Sequence, residues 1–397
     1  MKTCPQTPTL ILRRRRISIV SQSFGTVLRD VATKILERRL RLLLPVAVLI
    51  SLKLLASIWL YQRLSVLGNF FTPWMSEWGE SGPTKPWLFL FSAQDTGFYV
   101  ALAREWYRYP MYVFFPAYSV LCKILGFVTG DLWLSAFIIS FVFGLASIPL
   151  FQLVAENYMS RGEAAASTLL AATFPYTFLF TTVSYTESLF LFSTLATWYL
   201  YIKERLVPSA LAATLATLTK TYGVAIVIPV GIGLLAKRRF RQIPLFTVPV
   251  AALLSWLYYL YLMTGDFFVF STQQSYWMRM GVKFGWFQHY VKPLLDFNVW
   301  AFPEFDYILV AFVIFFGYLV FCVFRIDTRL GVYSLSIYLP LLYFGNFISL
   351  SRFFAFIFPV WLVVRMRSVP VLIVAVTFFL LNSLLVWYQF ILGVWVA

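Results

Sequence analysis

FSAQDTGFYVALAREWYRYPMYVFFPAYS at residues 91–119, continued by VLCKILGFVT at 120–129, holds the choice on which the topology turns. Read as a membrane span, its apolar half would reverse the side of every later loop. Read as a helix lying in the outer interface, it leaves them in place. The apolar segment 113–128 is about 16 residues long, with Pro116 inside it and Lys123 near its middle, whereas a span takes roughly 20 apolar residues. Charge parity points the same way, because counting it as a span would put the later basic loops outside. It is therefore read as interfacial. Upstream, DTGFYVALAREWY has the spacing of a short helix with Asp95 at its start, where a carboxylate complements exposed N–H groups. On that helix Arg104 and Arg108 would share a face.

Working outward, the chain is too apolar for a soluble domain. Its 397 residues are 61% hydrophobic and 12% charged, with a mean hydropathy of +0.80, where soluble domains carry about a quarter charged residues. This defines an all-α, polytopic helical membrane protein. Apolar runs at 42–60, 131–155, 164–180, 184–202, 207–221, 222–236, 243–262, 305–324, 331–349, 353–364 and 369–391 give about eleven transmembrane helices. They form one transmembrane domain, 42–397, behind a basic arm, 1–41. Two long outer loops interrupt it, 63–130 with the interfacial helices and 265–306 with the only histidine, His289.

The net charge of +16 suggests an anionic partner until its distribution is followed. Alternate short connections carry Arg161, Lys203 and Arg205, Lys237, Arg238, Arg239 and Arg241, Arg325 and Arg329, then Arg365 and Arg367. With the arm, this places most of the basic residues on one side, the positive-inside pattern of a cytoplasmic N-terminus. The basicity is a topology signal, and no nucleic-acid partner is expected. In the arm, Val27, Leu28, Val31, Ile35 and Leu36 fall near one helical face, which fits either a helix on an anionic leaflet or a basic tail without structure. No cleavable signal is expected, since mixed residues separate the charges from the first apolar run. Cys4, Cys122 and Cys322 lack CxxC spacing or a His companion, so no disulfide framework, zinc site or required metal is expected.

Against this background the outer-face charges stand out: Asp95, Arg104, Glu105, Arg108, Glu187, Lys220, Arg279, Lys283, Lys292 and Arg352. A cation kept near the outer end of a span needs a reason, and an anionic ligand is one. Lys220 and Arg352 each sit in a short turn between apolar runs. They either meet such a ligand or snorkel to lipid phosphates. Runs of about 15 residues on either side of Lys220 imply a turn sunk below the surface beside a cavity. Glu187 follows the polar cluster Thr181, Thr182, Ser184, Tyr185 and Thr186, and it can cap its helix, orient a substrate or hold a cation. Asp95 can cap and catalyse at once.

These residues also carry a resemblance. The chain resembles the PIG-V type mannosyltransferases, multispanning enzymes of the GT-C glycosyltransferase class, whose first loop reads WDxxxYxxIAxxGY and then FFPLYP. Here QDTGFYVALAREWY (94–107) precedes FFPAYS (114–119). SYTESLF (184–190), LATLTKTYG (215–223) and ISLSRFFAFIFP (348–359) are similar to the family's SYSESLF, LTRxxG and SxxRYLxxxFP elements. The departures are Gln94 for Trp, Trp106–Tyr107 for Gly-Tyr, and Lys220 for Arg, which keeps charge but loses the planar fork.

The resemblance implies a GT-C-like fold and a polyprenyl (dolichyl) phosphate-mannose donor, with a glycolipid or glycan as acceptor at the outer face. It implies an inverting displacement with Asp95 as general base, Lys220 and Arg352 at the donor phosphate, and Gln94, Tyr99, Arg104, Glu105, Arg108, Phe115, Pro116, Tyr118, Tyr185 and Glu187 as further substrate-site candidates. Transfer of another sugar is a second reading. A transporter or flippase is a third, weakened because no internal repeat is visible and the polar groups gather at one face.

Overall fold

The computed structural model describes residues 24–64, 82–273, 307–344 and 349–394, with only the backbone for 24–39, 307–309 and 344. The expected histidine loop and the Gly-Pro-Trp-rich start of the first loop thus lie largely outside the described residues, and so do the side chains of the proposed arm helix. Two compact units divide at Leu43 and Leu44, and everything below concerns the second.

Among the described residues every regular element is helical. Helix α1 is Phe24–Leu64, and its part within the second unit carries most of the first apolar run. After a 3-10 turn at Pro86–Phe91 come α2 (Thr96–Glu105), α3 (Pro116–Thr129) and α4 (Leu132–Ala155). Then follow α5 (Arg161–Thr173), α6 (Pro175–Phe180), α7 (Glu187–Ile202), α8 (Leu206–Thr217), α9 (Val227–Ala236) and α10 (Thr247–Thr264). The last are α11 (Tyr307–Val323), α12 (Thr328–Phe344), α13 (Leu350–Ala355) and α14 (Val369–Ile391).

Local chemistry sets many of these boundaries. Gly130 ends α3 in the left-handed region, and Asp131 caps α4 by accepting from the N–H groups of Trp133 and Leu134. Ser160 and Glu163 form a reciprocal capping box on α5. Pro175 brings no N–H and sends Phe174 to ψ 134°, so the apolar run 164–180 breaks into α5 and α6.

Among the described residues four helices are long and apolar enough to cross a membrane: Leu40–Arg63, Leu132–Ala155, Phe240–Thr264 and Val369–Ile391. The other apolar runs form shorter or broken pieces. The clearest departure is 353–364, expected as a span. It is instead the end of six-residue α13 plus a 3-10 turn at Phe358–Leu362, buried from Phe354 to Leu362 and half-buried at Phe353, Val363 and Val364. Six residues rise only about 9 Å. Its apolarity answers to the protein interior rather than to lipid.

Helix α4 packs on α3, α5 and α7, α7 on α8, and α8 on α10, while α14 lies along α5 and α6, and α12 joins α9 and α11. Small residues on α8, Ser209, Ala210, Ala213 and Ala216, are buried where close approach requires them. Gly223 shows the tightest case: a Cβ there would meet the Ala216 carbonyl oxygen at 2.0 Å. Only glycine lets the chain after Lys220 fold back on α8.

Candidate active site

Four charged side chains from four separate segments meet in the interior. Asp95 stands before α2, Glu187 opens α7, Lys220 lies in the turn after α8, and Arg352 belongs to α13. Lys220 Nζ donates to Glu187 Oε1 at 2.9 Å. Arg352 Nε lies 3.3 Å from the same oxygen, and its Nη1 lies 3.7 Å from Asp95 Oδ2. Asp95, Glu187 and Arg352 are 7%, 1% and 5% exposed.

The geometry around Arg352 is incomplete. Its Nε and Nη1 are buried and have no hydrogen-bond acceptor, since the carboxylates sit at ion-pair distance without hydrogen-bond alignment. Aromatic rings hold the guanidinium: Phe353 at 4.7 Å, Phe180 at 5.1 Å and Tyr185 at 5.6 Å. This is a cation-π cradle, which steadies the charge but accepts no N–H in line. Two donors are thus available for an anionic oxygen.

Asp95 does not cap α2. It adopts α-helical angles and its carboxylate makes no cap bond, so the capping role expected for it is replaced by the approach to Arg352. Burial pushes the Asp95 carboxyl above its ordinary value, Arg352 beside it pulls the other way, and Glu187 adds to the rise. A raised carboxyl is a better proton acceptor once ionised. The residue before it, Gln94, has φ +51°, a strained conformation for a side-chain-bearing residue. Its amide donates to the Val394 carbonyl at 2.7 Å, so Gln94 is tied to the end of α14.

Glu187 opens α7 one residue after the cap position Thr186, and its carboxylate pairs with both cations. Lys220 and Arg352 do not snorkel, because both turn inward to Glu187, Arg352 buried and Lys220 largely so at 12% exposed.

Tyrosines frame the cluster. Tyr185 OH accepts from the Asp95 N–H at 2.9 Å, and Tyr99 packs edge-on against Tyr118 and Tyr185. Tyr118 OH donates to the Ala136 carbonyl at 2.8 Å. Pro116 begins α3, whose Ala117 N–H bonds the Leu218 carbonyl beside the Lys220 turn. Phe115 turns instead to Trp256, with ring centres 4.1 Å apart. Arg104, Glu105 and Arg108 are exposed and lie outside the buried cluster. Helix α2 ends at Glu105, because Trp106 takes φ +70°, so Arg108 is not on its face and pairs with Glu105 at 3.1 Å.

Sequence reasoning passed over Lys53. It sits within the first apolar run, is 2% exposed, and donates to the Phe178 carbonyl, Thr181 Oγ1 and Thr182 Oγ1. A charge inside a span was the available signal. Among the described residues no three His, Cys, Asp or Glu side chains gather as a metal would require. Two cavities, of about 30 Å³ beside Gly144 and Thr181 and about 400 Å³ between α9 and α10, do not include the charged cluster among their lining residues.

No family model matches the chain, and no curated protein does. Among solved structures, that of ArnT from Cupriavidus metallidurans bound to undecaprenyl phosphate aligns with 70% of this chain at 17% identity, with a TM-score of 0.45. The chain spans 56% of that protein's length.

Proposed function

We propose that the chain is a membrane glycosyltransferase of the GT-C class that transfers mannose from a polyprenyl phosphate donor to a glycolipid or glycan at the outer face. The observation that carries this is the pairing of a buried carboxylate, Asp95, with a buried guanidinium 3.7 Å away whose Nε and Nη1 lack acceptors. Inverting glycosyl transfer from a lipid phosphate needs both elements, one at each face of the anomeric carbon, so the Asp95–Arg352 contact would open to admit the sugar. One takes the proton of the acceptor hydroxyl as it attacks the anomeric carbon. The other meets the charge that grows on the departing phosphate. Lys220, also at Glu187, adds a second positive charge to the leaving-group side.

The four-charge cluster is formally neutral, so an incoming phosphate would add one net negative charge to a site whose cations are shared with Glu187. Arg352 is the natural first contact because its donors are not saturated. Apolar helices around the site suit the isoprenoid tail.

The test is sugar transfer by the purified protein in lipid, with labelled polyprenyl-phosphate-mannose and a glycolipid extract, comparing wild type with Asp95→Asn. Wild-type transfer with a loss of about 10²- to 10⁴-fold in the variant, donor binding retained, supports the reading. Equal loss of binding and turnover rejects the base assignment. Absence of donor binding to the wild type rejects the donor.

A further inference from the structure

We infer that Lys53 is a positioning residue: from α1 it fastens the segment 181–187, which delivers Tyr185 and Glu187 to Asp95 and Arg352. What that site does rests on the reading above; the anchoring itself does not. An ammonium inside an apolar helix is costly, and an apolar side chain would pack there at lower cost if filling space were the only need. No carboxylate is among its hydrogen-bond partners. Its acceptors are instead a matched set of three for three donors.

The hydrogen-bond directions make the match specific to a donor. Thr181 Oγ1 gives its own hydrogen to the Thr177 carbonyl and Thr182 Oγ1 gives its to Phe178, both at 2.6 Å, so each hydroxyl turns a lone pair toward Nζ. Lys53 thus closes the end of α6, where carbonyls lack helical partners and a cation complements the dipole. Gly144 of α4 supports the same point from the other side, since a Cβ there would lie 2.3 Å from the Thr181 carbonyl oxygen.

From that fixed start Ser184, Tyr185 and Glu187 make the contacts that build the site. Ser184 N–H donates to the Phe91 carbonyl at 2.8 Å, and Ser184 in turn accepts from Thr96. Ser140 Oγ holds both the N–H and the carbonyl of Tyr185. Tyr185 OH then takes the Asp95 N–H, and Glu187 takes both cations. A shift at Thr181 and Thr182 would be passed to every one of these contacts.

The test compares full-length wild type, Lys53→Met and Lys53→Arg in lipid nanodiscs, reading amide exchange over 181–187 together with kcat and KM for polyprenyl-phosphate-mannose. In Lys53→Met, exchange at 181–187 rises about tenfold while Arg161–Thr173 is unchanged, and kcat falls about tenfold with KM within about twofold. Lys53→Arg restores most of both. Thr182→Val, a milder cut that leaves two acceptors, gives the same pattern at about threefold. Unchanged exchange in a folded variant overturns the anchor, and faster exchange with unaltered kcat overturns the positioning role. If the wild type turns over no lipid-linked sugar, the transferase reading fails while the exchange result still decides Lys53.

Discussion

Arg352 and Lys53 are both buried cations, 5% and 2% exposed, and both draw on the short helix α6 and the residues after it, yet their surroundings are opposite. Lys53 has a neutral acceptor for each proton and the ring of Phe178 at 4.8 Å. Arg352 has two carboxylates nearby, the ring of Phe180 at 5.1 Å, and N–H groups that find no acceptor. A saturated cation fixes structure, whereas an unsaturated one beside a carboxylate keeps capacity for a ligand. Buried polar groups are nearly always bonded, so unmatched donors in the interior call for an explanation; those of Arg352 differ from the other unmatched atoms in standing beside two carboxylates, and the proposed donor phosphate would supply their acceptor.

The largest effect that would sharpen this contrast is at Arg352. Arg352→Ala should weaken binding of polyprenyl-phosphate-mannose and lower turnover by about 10²- to 10³-fold, the loss expected of one preorganised electrostatic contact. Titration of labelled donor into nanodiscs checks it, and an unaltered affinity removes the phosphate role. Next, Glu187→Gln leaves Lys220 and Arg352 with one carboxylate fewer in the interior. Breaking a buried pair in this way costs about 3–5 kcal/mol. Lys53→Met removes a charge along with its bonds, so its global cost is expected below about 2 kcal/mol. Denaturant or thermal midpoints measured side by side test the order, and a reversed order would break the distinction drawn here.

A smaller effect concerns pH. In the proposed mechanism Asp95 acts ionised as the general base, so kcat is expected to fall as pH drops through its pKa, which burial raises above the ordinary carboxylate value. Since Arg352 opposes that rise, Arg352→Gln should move the acid limb to higher pH, measured as kcat against pH on the residual activity. A limb that stays in place would separate the two groups. The stability sign at Asp95 is the reverse of the usual carboxylate: the folded state binds the proton more tightly, so this contribution declines as pH rises through the folded pKa.

Glu163 behaves in the ordinary sense. Hydrogen bonds from Arg367 and from Ser160 lower its pKa from 4.5 to about 2, so its contribution is present above 4.5 and is lost as pH falls toward 2. Glu163→Gln should flatten that part of the stability profile, by a small amount because Arg367 is 82% exposed and water screens the pair.

Much of the architecture was legible because local chemistry writes it. Asp131, Ser160 with Glu163, and Pro175 mark helix boundaries by local chemistry, yet a reading by hydropathy carried the run 164–180 straight through Pro175. The apolar runs at 42–60, 131–155, 243–262 and 369–391 each coincide with a helix long enough to span. The run 353–364 misled because hydropathy reports the absence of water, and a buried protein interior is as dry as lipid. Arg104 and Arg108 misled because helical spacing was extended past Trp106, whose positive φ ends the helix. Lys53 was passed over since one charge barely lowers the hydropathy of a long apolar run.

By itself the sequence determined that this is an all-helical, membrane-type chain, with charges placed unevenly and a short list of residues able to do acid-base and anion chemistry. Composition and local spacing suffice for that, because they act over a few residues. Only the tertiary structure decided that Asp95, Glu187, Lys220 and Arg352 meet, that Glu187 holds both cations, and that Lys53 secures the segment leading to it. Those facts depend on how buried charges find partners far along the chain, and a charge in a dry interior is settled by whichever side chain the fold brings within 3 to 4 Å.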